Sequence, residues 1–173
     1  MITLSLNPSG DAPLSVLALG AHPDDVEIGA GGTLLSLAER HQGLRVKYVL
    51  MTGTKERKQE ARAAARAFTP GADLEVETHD LPEGRLPAVW GDVKEVIESV
   101  ARSFRPDVIL APGLSDAHQD HRTIAELVPT AFRDQVYLAY EIPKWDGDMS
   151  QPNTYFPLSD EIARRKVELL DKC

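Results

Sequence analysis

Val16–Leu17–Ala18–Leu19–Gly20–Ala21–His22–Pro23–Asp24–Asp25, running on into Val26–Glu27–Ile28–Gly29–Ala30–Gly31–Gly32, organises the rest of the chain. The residues Leu14–Gly20 are almost wholly apolar, as in a strand covered on both faces. Thr33–Leu34–Leu35–Ser36–Leu37–Ala38 follows with a helical pattern. A first helix is therefore expected over Gly29–His41, stopped by Gln42–Gly43, because glycine fits the left-handed position after a helix. One histidine and two adjacent carboxylates thus stand on a turn between a buried strand and a helix. In an open parallel sheet, ligands bind at such turns.

The same alternation continues outward from this turn. Strands are expected at Val46–Met51, Leu74–Leu81, Val108–Ala111 and Gln135–Glu141. Between them come a helix at Lys55–Phe68, rich in alanine and arginine, and one at Asp92–Phe104. The latter carries Val93, Val96, Ile97 and Val100 at helical spacing. A third, His121–Val128, is perturbed by Pro129. Ser159–Cys173 is a last helix, with Ser159 as its N-cap. Met1–Pro13 is a loose lead-in with room for a short edge strand. Pro143–Pro157 is a long loop holding Trp145, Asp146, Gly147, Asp148, Asn153 and Tyr155, of the kind that shapes pockets on α/β scaffolds. The expectation is one α/β domain over residues 1–173. Its sheet is Rossmann-like, doubly wound and mostly parallel, in three α/β/α layers. The last helix meets no stop signal, which suggests a native chain continuing past Cys173.

Composition narrows the class. The 173 residues are 42% hydrophobic and 27% charged, with a net charge of −8, an ordinary globular balance. No basic excess exists to neutralise phosphates, so a nucleic-acid partner is not expected. The single cysteine, Cys173, cannot form an internal disulfide. There is no signal-peptide pattern, and no apolar run approaches the ~20 residues of a membrane span. A soluble cytoplasmic protein is the expectation, with homo-oligomerisation open.

The second cluster is His118–Gln119–Asp120–His121, after the short apolar strand Val108–Ala111. Together the two clusters gather three of the chain's five histidines beside three aspartates. Catalytic zinc takes three protein ligands and leaves one position to water. Histidine with carboxylate suits zinc, and also iron, manganese or nickel. Of two carboxylates on one turn, one can bind metal while its neighbour acts as general base. His41 and His79 lack such company and read as structural or exposed.

Ala21–His22–Pro23–Asp24–Asp25, with Glu27, Gly29 and Gly31–Gly32 after it, resembles the opening motif of the PIG-L/LmbE-like zinc-dependent N-deacetylases. His118–Gln119–Asp120–His121–Arg122 is similar to their second motif, in which proline usually stands where this chain has Gln119. Thr52–Gly53, followed by Arg57 and Glu60, resembles an intervening Thr-Gly…Arg-x-x-Glu pattern. The resemblance spans about Leu14 to Thr123.

It implies zinc bound by His22, Asp25 and His121, with Asp24 as general base. It further implies that His118 steadies the oxyanion or assists the leaving amine, with Asp120 orienting it, and that Arg57 binds substrate. The implied reaction is removal of an acetyl group from an N-acetylated amino sugar or its conjugate. Lys55, Lys58, Arg62 and Arg66 read as solvated or paired with Glu56 and Glu60. Asp116 reads as a loop cap.

The rival readings are a metal-dependent phosphoesterase and a non-catalytic sugar or nucleotide-sugar binding paralogue. A phosphoesterase would want several converging cations, and Arg57, Arg85 and Arg122 are the candidates. A nucleotide cofactor is disfavoured, because Gly29–Ala30–Gly31–Gly32 is not G-x-G-x-x-G.

Overall fold

A computed structural model describes residue 6, residues 12–143 and residues 151–172. The expected edge strand of the lead-in, and Trp145, Asp146, Gly147 and Asp148 of the long loop, lie outside the described residues. The elements run β1 (Ser15–Gly20), α1 (Asp25–Arg40), β2 (Arg45–Leu50), α2 (Lys55–Phe68) and β3 (Asp73–Thr78). A 3-10 turn (Leu86–Val89) then leads into α3 (Trp90–Ser103), β4 (Val108–Pro112), α4 (Gln119–Ala131), β5 (Val136–Tyr140) and α5 (Asp160–Leu170).

The five strands form one sheet in the order β3-β2-β1-β4-β5. All four pairings are parallel, with Val16 level with both Val46 and Val108. The chain winds outward from β1 to β3, then returns to β4 on the other side of β1. The order therefore reverses between β1 and β4, and a crevice opens beyond their carboxyl ends. His22 follows β1 and His118 follows β4, so topology alone brings the two clusters together.

Each sheet face carries its own core. Val16, Ala18, Tyr48 and Leu50 pack under Val26, Ala30, Leu34 and Leu37 of α1 and Ala61 and Ala65 of α2. Leu17, Leu19, Val49 and Ile109 pack against Val93, Ile97 and Val100 of α3 and Ile124, Leu127 and Val128 of α4. α5 closes over Leu35 and Phe68 through Ile162. Every residue of β1 and β4 is buried, which is why both read as unbroken apolar runs.

α1 begins at Asp25, four residues before the expected start at Gly29. The added residues are Asp25–Ile28, and the glycines that follow are required because three neighbours press on this helix where side chains would stand. A Cβ on Gly29 would stand 2.2 Å from the Tyr140 ring, one on Gly31 2.6 Å from Phe68, and one on Gly32 2.5 Å from Leu158. α4 also starts early, at Gln119, and runs past Pro129 to Ala131. β3 ends at Thr78 rather than Leu81.

Candidate active site

The turn after β1 is held by one carboxylate. Asp25 Oδ2 accepts the backbone N–H groups of Ala21 and His22, each at 2.9 Å. The same oxygen lies 3.5 Å from His22 Nδ1 and 3.2 Å from His121 Nε2. Those two nitrogens are 3.3 Å apart. Three ligand-type atoms thus form a near-equilateral triangle. Burial would raise the Asp25 pKa, but the hydrogen bonds from His121 and His22 overcome this and hold it far below the usual carboxylate range.

The other nitrogen of each histidine meets a buried carboxylate. His22 Nε2 is 3.1 Å from Asp120 Oδ2, and His121 Nδ1 is 2.7 Å from Asp116 Oδ2. These partners assign the ring protons to His22 Nε2 and His121 Nδ1. With both rings neutral in that tautomer, the lone pairs of His22 Nδ1 and His121 Nε2 face each other and an Asp25 oxygen, and a proton on either nitrogen turns it into a donor to Asp25. Only a cation at the centre, a proton or a metal ion, relieves that convergence. For both imidazoles burial lowers the pKa and the facing carboxylates more than offset it, so both are raised.

His118 completes the cluster. Its ring stacks on His121 at 4.7 Å between centroids and meets His22 edge-on at 4.6 Å. One nitrogen from each of His22, His118 and His121 lies within 4.8 Å of the others, a group able to hold a metal ion. As N-cap of α4, His118 accepts the Asp120 N–H at Nδ1 (3.2 Å). A neutral ring then carries its proton on Nε2, as a donor. Burial and then the neighbouring His121 and His22 lower its pKa and favour that neutral form.

Asp24 has different partners from Asp25. Its side chain is 57% exposed, and its backbone is left-handed at φ 94°. Arg57 Nη2 donates to Asp24 Oδ2 (3.2 Å) and to the Pro23 carbonyl (2.9 Å), and Nη1 reaches Glu83 at 3.5 Å. Partial burial, then the Asp25 charge, push the Asp24 pKa up, and Arg57 pulls it back. Gly53 makes this approach possible. At φ 123° it has no side chain, and a Cβ there would stand 2.8 Å from Pro23.

Every sequence-predicted site residue therefore converges here, but two pairings differ from expectation. The Asp120 carboxylate makes its side-chain bond to His22 rather than to His118, and also accepts Gly84 N (2.7 Å) and Leu86 N (3.0 Å). As the second residue of α4 its N–H faces the N-cap ring while its side chain turns inward. Asp116 caps the loop through His118 N (2.8 Å), and beyond that role it grips His121. No local sequence signal announces either contact. On α2, Lys58 pairs with Asp80, and Arg62 bonds the Val76 carbonyl (2.7 Å) and Thr78 (2.9 Å). These cations stitch α2 to the end of β3, so Glu56 and Glu60 are not their partners.

Residues 17–132 match the sequence profile of the PIG-L family, described as GlcNAc-PI de-N-acetylase. The chain belongs to the PIG-L family. PIG-L deacetylases are metal-dependent hydrolases of N-acetyl groups, and this chain is an enzyme of that type. The uncharacterized deacetylase YaiS of Escherichia coli (strain K12) is 27% identical over 97% of this chain and 95% of its own length. Diacetylchitobiose deacetylase of Thermococcus kodakarensis is 30% identical over 62% of this chain and 45% of its own. Among solved structures, the N,N'-diacetylchitobiose deacetylase from Pyrococcus horikoshii superposes with a TM-score of 0.66 at 20% identity. It covers 96% of this chain and 72% of that one, a likeness of fold. No described helix is long and apolar enough to cross a membrane.

Proposed function

We propose that this PIG-L protein removes the acetyl group from an N-acetylated amino sugar or its conjugate, using one divalent metal ion, zinc by preference, held by His22, Asp25 and His121. The triangle of Asp25 Oδ2, His22 Nδ1 and His121 Nε2, with edges of 3.2 to 3.5 Å, carries this reading. Tetrahedral zinc with bonds of about 2.0–2.2 Å needs ligand atoms about 3.3–3.6 Å apart. The buried Asp120 and Asp116 supply the outer hydrogen bonds that metal-binding histidines ordinarily have. When bound, the metal polarises the amide carbonyl and acidifies a water molecule.

The chain's own groups then divide the remaining work. Asp24, exposed beside the triangle, accepts the proton of the attacking water. His118 presents Nε2–H to the oxygen that gains charge as the carbonyl carbon becomes tetrahedral. Arg57 holds the Asp24 carboxylate in place and meets the substrate's polar edge. The C–N bond breaks as the amine nitrogen takes a proton from the Asp24 side. Acetate and the free amine leave. A phosphoesterase would need cations free to meet its phosphate, and Arg122 is committed to the carbonyls of Asp116 and Ala117.

The test measures bound metal and acetate release from N-acetylglucosaminides, for the native chain and for Asp24→Asn, in which asparagine tolerates the left-handed turn. The expected result is metal retained in both, with turnover reduced about 10²- to 10⁴-fold in the variant. A purified chain that takes up no divalent metal, or a variant that keeps its rate, overturns the assignment.

A further inference from the structure

The 82–86 loop takes no part in the proposed mechanism, yet four ties bind it to the site. Gly84 N and Leu86 N both donate to the buried Asp120 carboxylate (2.7 and 3.0 Å). Gln119 Nε2 donates to the Gly84 carbonyl (2.9 Å), and Glu83 pairs with Arg57 (3.5 Å). Because Arg57 also holds Asp24, Glu83 stands at the rim of the opening in which Asp24 works.

These ties act on consecutive peptide planes. Asp120 holds the Glu83–Gly84 plane through Gly84 N–H and the Arg85–Leu86 plane through Leu86 N–H. The plane between them, Gly84–Arg85, is held at its carbonyl by Gln119. It can rotate because it follows a glycine at φ 74° with nothing within 4 Å of where a Cβ would stand, and at its other end Arg85 N–H is bonded only within the loop itself. Rotating it would swing Arg85 and break the Arg85 N to Pro82 O turn bond (3.1 Å). The third tie comes from a side-chain amide on the first residue of α4.

We infer that Gln119 is a positioning residue: it locks the Gly84–Arg85 peptide and so fixes the 82–86 loop as a rigid wall of the substrate cleft. The wall would meet the part of the substrate beyond the acetamido group. This rests on the deacetylase reading of the site. Asp120 Oδ2 receives both Gly84 N and His22 Nε2, so the wall is registered directly against a proposed metal ligand.

The decisive variant is Gln119→Pro. Position 119 opens α4, where proline is favoured. His118, at φ −75° and ψ 122°, already has the extended conformation that proline demands of its predecessor. Gln119→Leu serves as a second variant without a proline. The full chain, loaded with zinc, is assayed on N-acetylglucosamine and its β-linked disaccharide, with metal affinity and amide hydrogen exchange measured alongside.

In both variants KM for the disaccharide is expected to rise about fivefold, the equivalent of one hydrogen bond. kcat and metal affinity should stay within about twofold, and the Gly84–Leu86 amides should exchange about tenfold faster. Unchanged KM and unchanged exchange overturn the proposal. So does a parallel fall in kcat and metal affinity, which would place Gln119's effect on the metal site. If the native chain deacetylates neither sugar, the deacetylase reading fails, while the exchange measurement, which needs no turnover, still decides whether Gln119 locks the loop.

Discussion

Glu27→Gln tests how this fold carries a charge inside its core. Glu27 lies in the first turn of α1, 2% exposed. Oε2 accepts the Tyr48 hydroxyl at 2.7 Å, and Oε1 has no hydrogen-bond partner among the described residues. Burial pushes its pKa from 4.5 up to about 7, against the pull of the Tyr48 bond, with the nearby Asp24 and Asp25 charges adding to the rise. A carboxyl group whose pKa is raised by folding binds its proton more tightly when folded. Stability therefore falls as pH rises from about 4.5 to about 7 and then levels off. At about 1.36 kcal/mol per pH unit the whole effect is about 3 kcal/mol, of which about 2.5 falls between pH 5 and pH 8.

Glutamine keeps the shape and the acceptor for Tyr48 and removes the titration. Its amide hydrogens cost some stability at every pH, so the quantity to read is the difference between the two proteins. Urea unfolding with chelator present, at half-unit steps from pH 5 to 8, should show the variant gaining about 2.5 kcal/mol on the native protein. For a chain of this size that corresponds to roughly 5–10 °C in Tm. Parallel curves, differing by a constant within about 0.5 kcal/mol, would refute the reasoning.

Two further variants probe the scaffold around the site. Asp116→Asn leaves the loop cap but weakens the acceptor facing His121 Nδ1, so zinc affinity should fall about 10- to 100-fold in a chelator competition. A change under threefold would show that Asp116 does not tune the proposed metal ligand His121. Gly29→Ala drives a Cβ to 2.2 Å from Tyr140, whose hydroxyl is tied to the Leu19 carbonyl at 2.7 Å. The expected cost is about 1–3 kcal/mol by thermal melting. A rise in Tm, as glycine-to-alanine gives in an open helix, would contradict the close packing.

The fold was legible where its signals are local. β1 and β4 are buried along their whole length, so their runs are unbroken in the sequence. The expected bounds of α2, Lys55–Phe68, match the observed helix because its alanine-rich run ends at Pro70–Gly71. The expected α1 starts four residues late because Asp24 caps it in a left-handed conformation without a side-chain cap bond, so Asp25–Ile28 carry no ordinary start signal. The site divides in the same way. Ligand types clustered at two strand ends are visible as residue types, and topology brings them together. Which carboxylate serves which imidazole depends on side-chain direction across 98 residues in the Asp120–His22 pair, and no periodicity encodes that. The same holds for the reach of Gln119 back to Gly84 over 35 residues.

The adjacency of Asp24 and Asp25 raises a physical question that the backbone answers. Two neighbouring carboxylates at a helix start would ordinarily share one environment and repel. Asp24 is the one non-glycine residue with positive φ among the described residues, a conformation costing about 1–2 kcal/mol. A usual N-cap is extended and folds its side chain onto the helix's free N–H groups, whereas Asp24 makes no such bond. The turn is held by other means. Asp25 grips Ala21 N and His22 N, Ile28 N bonds the Asp24 carbonyl at 2.9 Å, and Arg57 bonds the Pro23 carbonyl. The left-handed step sends one carboxylate into the core against two imidazoles and the other out beside Arg57. Environment then separates their acidities, lowering Asp25 and raising Asp24. An ordinary cap would start α1 equally well and would return the Asp24 carboxylate to the helix's own N–H groups. The strain at Asp24 is therefore the cost of keeping the proposed proton acceptor off the helix's own N–H groups and beside the proposed metal-binding carboxylate, the pattern expected where backbone strain serves a site.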